Sequence, residues 1–417
     1  NAFGVNALSE NTTGSNNTAM GEAALVKNTT ANNNTSFGYF ALKENTTGTQ
    51  NVAVGANALD ANTTGGNNSA VGYNSLGTNT TGEHNVALGA YSLKLNTTGS
   101  RNIGIGVNAL QQNTTASHNT AVGEDALKLN TTGDNNTAVG HAAIYTNTTG
   151  SDNAAIGRGA LYSNTTADKN TALGRLALFA NTTGDHNTVV GYNAADANTT
   201  GRGHAVLGAN ALTTNTTGEK STAIGFSSLE NATTGDNNTA VGNNSGNSVT
   251  TGSNNLLLGN GAGVSGSPSG NVTTSSNQAC LGNGDLSALF CADTSISSSD
   301  SRDKTDITNF TVGLQWIEAL RPVTYRWDRR TWYGTNEEPF GTPDGSKKRQ
   351  RLHVGFLAQE ALEVEKANGY GTSNDDSLVV NLTDDGTSYG LKYERIVPIL
   401  VNAIKELSAK VTALEAK

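Results

Sequence analysis

The chain is short of most of what builds an ordinary globular core. Among 417 residues there are two Cys, five Pro, one Met and three Trp, and aromatic residues make up 6%. Cys280 and Cys291 are too few for a disulfide scaffold, and their spacing fits no metal motif. The sequence leaves open a single disulfide between them in an oxidising setting, or two isolated buried thiols. Charged residues are only 15% and the formal net charge is −9, so no nucleic-acid partner is expected. Against that background the basic run Lys347-Lys348-Arg349-Gln350-Arg351 reads as a solvated loop. No stretch reaches the roughly 18 apolar residues of a membrane helix, so no membrane span is expected. No metal or cofactor motif stands out either. With neither an initiator Met nor a secretory signal, the chain reads as a fragment or a processed product. At 35% apolar residues, a single globule of this length would be underfilled.

What the chain has in plenty is glycine, asparagine and threonine, set in rhythm. Sixteen glycines recur every 17 residues from Gly4, Gly21 and Gly38 to Gly242 and Gly259. A second column keeps the same beat from Asn11 and Asn28 through Asn198 and Asn215. A period this short and strict predicts a solenoid, in which each unit stacks on its neighbour and none folds alone. Each coil then needs only two or three buried side chains, which resolves the shortage of apolar residues.

One repeat, Asn79 to Leu95, reads NTTGEHNVALGAYSLKL. Asn85-Val86-Ala87-Leu88-Gly89 alternates like a short strand, and Tyr91-Ser92-Leu93 predicts a second one. Gly89 allows a backbone corner between them, and Asn79-Thr80-Thr81-Gly82 supplies a turn. The residue before each periodic glycine is large and apolar (Val54, Val71, Leu88), and the one before that is usually Ala. Size alone predicts that the large residue fills the coil and that the Ala faces a surface where only a small group fits. At about 4.8 Å per coil the shaft would be of order 75 Å long. An alanine-lined face invites sister chains, so a homotrimer is expected.

The phrases Asn119-Thr120-Ala121-Val122-Gly123 and Asn153-Ala154-Ala155-Ile156-Gly157 resemble the left-handed parallel β-roll of trimeric autotransporter adhesin heads. The 17-residue period is longer than is usual there. Each Asn-Thr-Thr is also an N-glycosylation sequon, although stacked, hydrogen-bonded Asn and Thr ladders explain the columns without a sugar. A flat threonine face for ice is disfavoured, because adjacent residues such as Thr12 and Thr13 point in opposite directions in extended chain.

The period fails after Gly263, giving a shaft over 1–263. Residues 264–298 read as a Gly/Ser-rich connector and neck, with strand-like pieces at Ala279-Cys280-Leu281 and Leu286 to Cys291. All three tryptophans and most of the charge fall after Ser299, marking a small α+β domain over 299–417. Its last segment, 393–417, is a helix by period. Val397, Leu400, Ile404, Leu407, Val411 and Leu414 alternate spacings of three and four, a heptad seam that predicts a coiled-coil tail. The expected fold is thus mainly β, a homotrimeric β-roll or β-solenoid shaft followed by this α+β domain.

Four ordered blocks occupy that domain: Ser297 to Ile307, Leu320-Arg321-Pro322-Val323-Thr324-Tyr325-Arg326-Trp327, His353-Val354-Gly355-Phe356-Leu357-Ala358-Gln359-Glu360, and the terminal helix. Together they closely resemble the intramolecular chaperone auto-processing domain of phage tail spikes and fibres, endosialidases and a membrane-bound eukaryotic transcription factor. The resemblance spans essentially all of 299–417. It implies a domain that trimerises and folds the upstream fibre, then severs itself. Carried over by position, it implies Ser299 as nucleophile, Ser298–Ser299 as the scissile bond and Lys304 as base.

The implied chemistry is physically reasonable. A serine hydroxyl attacks only after a base takes its proton, and a lysine serves as base only when burial or nearby positive charge lowers its pKa. Arg302 supplies such a charge. Attack by Ser299 on the preceding carbonyl gives an ester that water hydrolyses, with proximity standing in for substrate binding. Five extended residues span roughly 16 Å, so Ser299 and Lys304 meet only across a bend or between chains. His353 and Gln359 support such a site or simply pack the core. Asp303 departs from the family's usual apolar residue and favours the charged form of Lys304, which predicts slow or incomplete cutting.

The expected function is a trimeric extracellular fibre, of a phage tail or a bacterial surface, that turns over once per chain. Its expected partners are its own copies and a host-cell surface glycan or protein receptor. The alternative is an uncleaved filament or adhesin whose C-terminal domain only trimerises. No paired carboxylates recur at a fixed place in the repeats, which argues against a polysaccharide-degrading spike.

Overall fold

The computed structural model describes residues 1–286, 307–330, 333–334, 340–373, 376–382 and 389–416. Two units emerge, one of residues 1–262 and 273–281, the other of 263–272 and 282–417.

The first unit is a β-solenoid. Its seventeen short strands run from β1 (Ala2–Phe3) to β17 (Ala279–Leu281), and each pairs in parallel with the strand one coil away. In the strand Val86–Leu88 (β6), Val86 pairs with Ile103 and Ala87 with Gly104, the 17-residue step of the sequence. The shaft continues one coil beyond Gly263. Leu256 pairs with Ala279, 23 residues on, so the last coil takes an insertion and still closes. Cys280 stands in the middle of β17 and is buried, while Cys291 lies outside the described residues.

Each coil carries one strand, not two. The expected second strand at Tyr91-Ser92-Leu93 is instead a bend in which Tyr91 (φ 60°) and Leu93 (φ 52°) both adopt left-handed backbone. Its amides still bond from coil to coil, Tyr91 to the carbonyl of Tyr73 and Leu93 to that of Ala109, both at 2.9 Å. The bend sends Leu93 into the coil. Its equivalents Leu25, Leu42, Leu59, Leu76 and Leu110 are likewise fully buried, forming an apolar file along the axis. A left-handed non-glycine residue costs roughly 1–2 kcal/mol, and full burial of a leucine offsets this with about 1.5–3 kcal/mol.

That leucine file reverses the expected facing of the strand. Ala87 is buried, whereas Val86 and Leu88 are 38% and 47% exposed. The leucine already occupies the coil interior, so the strand residue opposite it must be small and the large apolar residue is turned outward. The alanine face therefore offers no surface to sister chains. At Gly89 (φ 132°) an added Cβ would lie 2.6 Å from the carbonyl oxygen of Gly106, which explains why that column is never broken.

Two buried asparagine ladders complete the coil. Asn96 Nδ2 donates to Asn79 Oδ1 at 2.8 Å and to the Gly99 carbonyl at 2.9 Å. In the second ladder Asn102 accepts from the amide of Asn119 at 3.0 Å and donates to the Ala116 carbonyl at 2.8 Å. These bonds satisfy the turn carbonyls that a narrow coil would otherwise bury unpaired.

In the second unit, α1 (Leu314–Ala319), α2 (Ala358–Ala367) and α3 (Ile396–Glu415) accompany two antiparallel pairs, β18 (Val323–Tyr325) with β19 (His353–Gly355) and β20 (Val380–Leu382) with β21 (Tyr389–Leu391). Its core gathers Trp316 of α1, Val379, and Ile396 and Ile399 of α3. The terminal helix is thus part of the domain core on one face. Val397, Leu400, Ile404, Leu407, Val411 and Leu414 are all exposed, on a stripe that flanks the packed face and runs on past it toward the C-terminus.

Candidate functional site

Ser298, Ser299, Arg302 and Lys304 lie outside the described residues. The structure does place the blocks downstream of them, and it brings those blocks together. β18 and β19 join the second block to the third, pairing Val323 with Gly355 and Tyr325 with His353. Arg321 then clamps the start of α2: its Nε donates to Glu360 Oε2 at 3.1 Å, and its Nη2 donates to Oε1. The hydrogen bonds and charge of this pair hold Arg321 above its ordinary pKa and Glu360 below its own.

His353 is half-buried and its ring stacks on Tyr325, with centroids 5.5 Å apart and planes at 20°. Trp327 stands at an angle to both, 5.3 Å from Tyr325 and 6.3 Å from His353. His353 therefore serves as one member of an aromatic cluster. Arg329 lies over the Trp327 ring at 4.5 Å; burial, reinforced by Arg349, lowers its pKa. Gln359 sits exposed in the first turn of α2. It lines a cleft of about 720 Å³ with Tyr325, Trp327, Arg329, Phe356, Tyr389 and Tyr393, a wall that His353 does not join.

Sequence reasoning overlooked Glu365. This carboxylate is fully buried, accepts from the amides of Val379 and Val380 through Oε1, the latter at 3.0 Å, and from Ser377 Oγ through Oε2 at 2.9 Å. It ties α2 to β20. The available signal was a carboxylate four residues after Ala361, on the inner face of an amphipathic helix. Two further anchors fix α3: Glu406 Oε2 accepts from the Leu314 amide at 3.1 Å, and Asn402 Nδ2 donates to the Phe310 carbonyl at 2.7 Å. The third and fourth blocks meet where the Phe356 amide donates to Tyr393 Oη at 3.2 Å.

The first three blocks, without the terminal helix, have a counterpart. Residues 299–370 match the family model for the chaperone of endosialidase. The chaperone match opens on Ser299 and closes on Tyr370, whose ring is 6.3 Å from that of Trp316 in the core. No curated protein and no solved structure matches the chain. The chaperone region and the solenoid together describe a protein of tail-fibre type, with a shaft and a chaperone domain.

Among the described residues, no three His, Cys, Asp or Glu side chains converge as they would around a metal ion. No described helix is long and apolar enough to cross a membrane. The sequon asparagines are spent in the first ladder, since Asn28, Asn45 and their equivalents are fully buried with Nδ2 donating inward. Of the paired threonines, Thr97 Oγ1 donates to the Thr114 carbonyl at 3.0 Å, while Thr98 is exposed.

Proposed function

We propose that this chain is a subunit of a homotrimeric extracellular fibre, of a phage tail or a bacterial surface, whose C-terminal domain assembles the trimer and then cuts itself off. Cutting falls at Ser298–Ser299. Ser299 Oγ attacks the Ser298 carbonyl while Lys304, its pKa lowered by Arg302, takes the hydroxyl proton and passes it to the Ser299 nitrogen as the C–N bond breaks; water then hydrolyses the ester, freeing the Ser298 carboxylate and the Ser299 hydroxyl. The observation that carries this reading is the chaperone match beginning on Ser299. The exposed seam of α3 supports self-association: six heptad positions are apolar and exposed along a helix whose N-terminal half is already packed into the domain. Val401, exposed beside them, widens the apolar stripe beyond a strict two-position seam. Gln359, on the wall of the aromatic cleft, and His353, in the aromatic cluster beside Tyr325, act as positioning residues. The fibre's other partner is a host-cell surface glycan or protein.

The second reading, an uncleaved filament with a purely trimerising domain, rests on Asp303, whose carboxylate favours charged Lys304. A denaturing gel separates the two. Self-cleavage gives bands for 1–298 and 299–417 that disappear together in Ser299→Ala, whereas a single intact band in the wild type supports the second reading.

A further inference from the structure

The shaft carries a feature that its own fold does not need. The last residue of every strand is large and apolar; eleven of the seventeen, among them Phe3, Met20, Leu88, Ile156, Leu207 and Leu281, are exposed, and the other six are partly buried. The first residue of each strand after β1 is Thr, Val, Ser, Ile, Ala or Leu and never charged. The outer face of the sheet is therefore a ribbon uncharged over all seventeen strands, with one file of large apolar residues beside a mixed file of Thr, Ser and aliphatic residues. Isolated exposed hydrophobic residues are unremarkable, but a file of them repeated along one face marks an interaction surface.

We infer that this outer strand face is the surface on which copies of the chain associate along the shaft, parallel and in register. The inference rests on the self-association proposed above and names the surface. At ordinary accessible areas for aliphatic side chains, about 40–50% exposure leaves roughly 50 Å² on each. The eleven exposed members of the file then offer on the order of 500 Å² per chain, toward the low end of what a specific interface buries on each partner. The spacing identifies the occupant. A partner must repeat the same step, one coil per strand, along the whole ribbon, and a second copy of this chain does so by construction. The helical seam of α3 runs the copies parallel, so every outward residue meets its own counterpart at the same level.

Single cysteines in the full-length chain, with Cys280 and Cys291 changed to Ser, test this. Val139→Cys lies on the ribbon, Ile404→Cys on the α3 seam, and Thr132→Cys on an exposed file away from the strand. Mild oxidation followed by a denaturing gel should cross-link the first two and leave the third uncrosslinked. Cross-linking at Ile404→Cys alone overturns the ribbon while leaving the trimer standing, and cross-linking at none of the three overturns both. Cross-linking at all three reports random collision and also overturns the ribbon. As a second measurement, Val71→Glu/Leu88→Glu should abolish the Val139→Cys cross-link with an unchanged circular dichroism spectrum. Retention of the cross-link contradicts the inference.

Discussion

Asn96 stands 2.8 Å from Asn79, amide to carbonyl oxygen, deep inside a shaft made largely of polar residues. Because Asn96 also bonds the Gly99 carbonyl and accepts from Asn113, its loss leaves several buried groups unpaired. Asn96→Ala should lower stability by about 2–4 kcal/mol, at 1–3 kcal/mol for each unsatisfied group. Urea unfolding of the shaft checks this. The same burial predicts that chain made in a glycosylating host carries no sugar at Asn96, which intact mass will read.

The leucine file predicts a different loss. Leu93→Ala opens a cavity in a rigid stack and should cost about 2–5 kcal/mol, whereas Leu88→Ala, on the outer face, should change the stability of an isolated chain by under 1 kcal/mol. Thermal melts of both variants give the comparison, and equal losses would mean that the facing is wrong.

How much of this was legible in sequence depends on which residue is asked. The period, the glycine corner and the asparagine ladders follow from columns such as Gly89 and Asn96, because repetition at one spacing leaves few folds. The facing of Ala87 and Leu88 did not follow: alternation says that they face opposite ways, and only the competing claim of Leu93 on the interior decides which is inside. That claim was itself written at 17-residue spacing. Left-handed Tyr91 and Leu93 were illegible as a bend, since bulky residues ordinarily favour extended chain. In the second domain the four blocks were legible as separate motifs, but the Arg321–Glu360 clamp and buried Glu365 required the fold. The Ser299 and Lys304 expectations fall outside the described residues.

One ladder position is built to fail in acid. His204 replaces an asparagine in the second ladder; its Nδ1 accepts from the Ser221 amide at 3.2 Å, and Nε2 has no hydrogen-bond partner. Burial holds its pKa below the usual 6.5. The unfolded chain then binds a proton at higher pH than the folded one, so stability falls as pH drops below about 6.5 toward the folded value. Nearby, Asn198 Oδ1 and Asn215 Oδ1 are also unpaired, so this stretch should open first. Hydrogen exchange at pH 7.5 and pH 5, each corrected for the intrinsic exchange rate at that pH, should show lower protection around 198–221 at the lower pH. His204→Asn should remove most of that difference.

The two faces of α3 predict opposite phenotypes. Ile404 is 66% exposed and Ile399 is buried in the domain core. Ile404→Glu should weaken association while leaving the domain's melting unchanged. Ile399→Ala should cost about 2–5 kcal/mol of domain stability. Glu365→Ala, which strands the amides of Val379 and Val380, belongs with the second group at about 2–4 kcal/mol.

The central claim is that three copies form one fibre. Sedimentation equilibrium of the full-length Ser299→Ala chain, in which proteolysis cannot complicate the mass, tests it most directly. The account predicts three times the 42.8 kDa chain mass. A particle of one chain mass, unchanged as concentration rises, would contradict it.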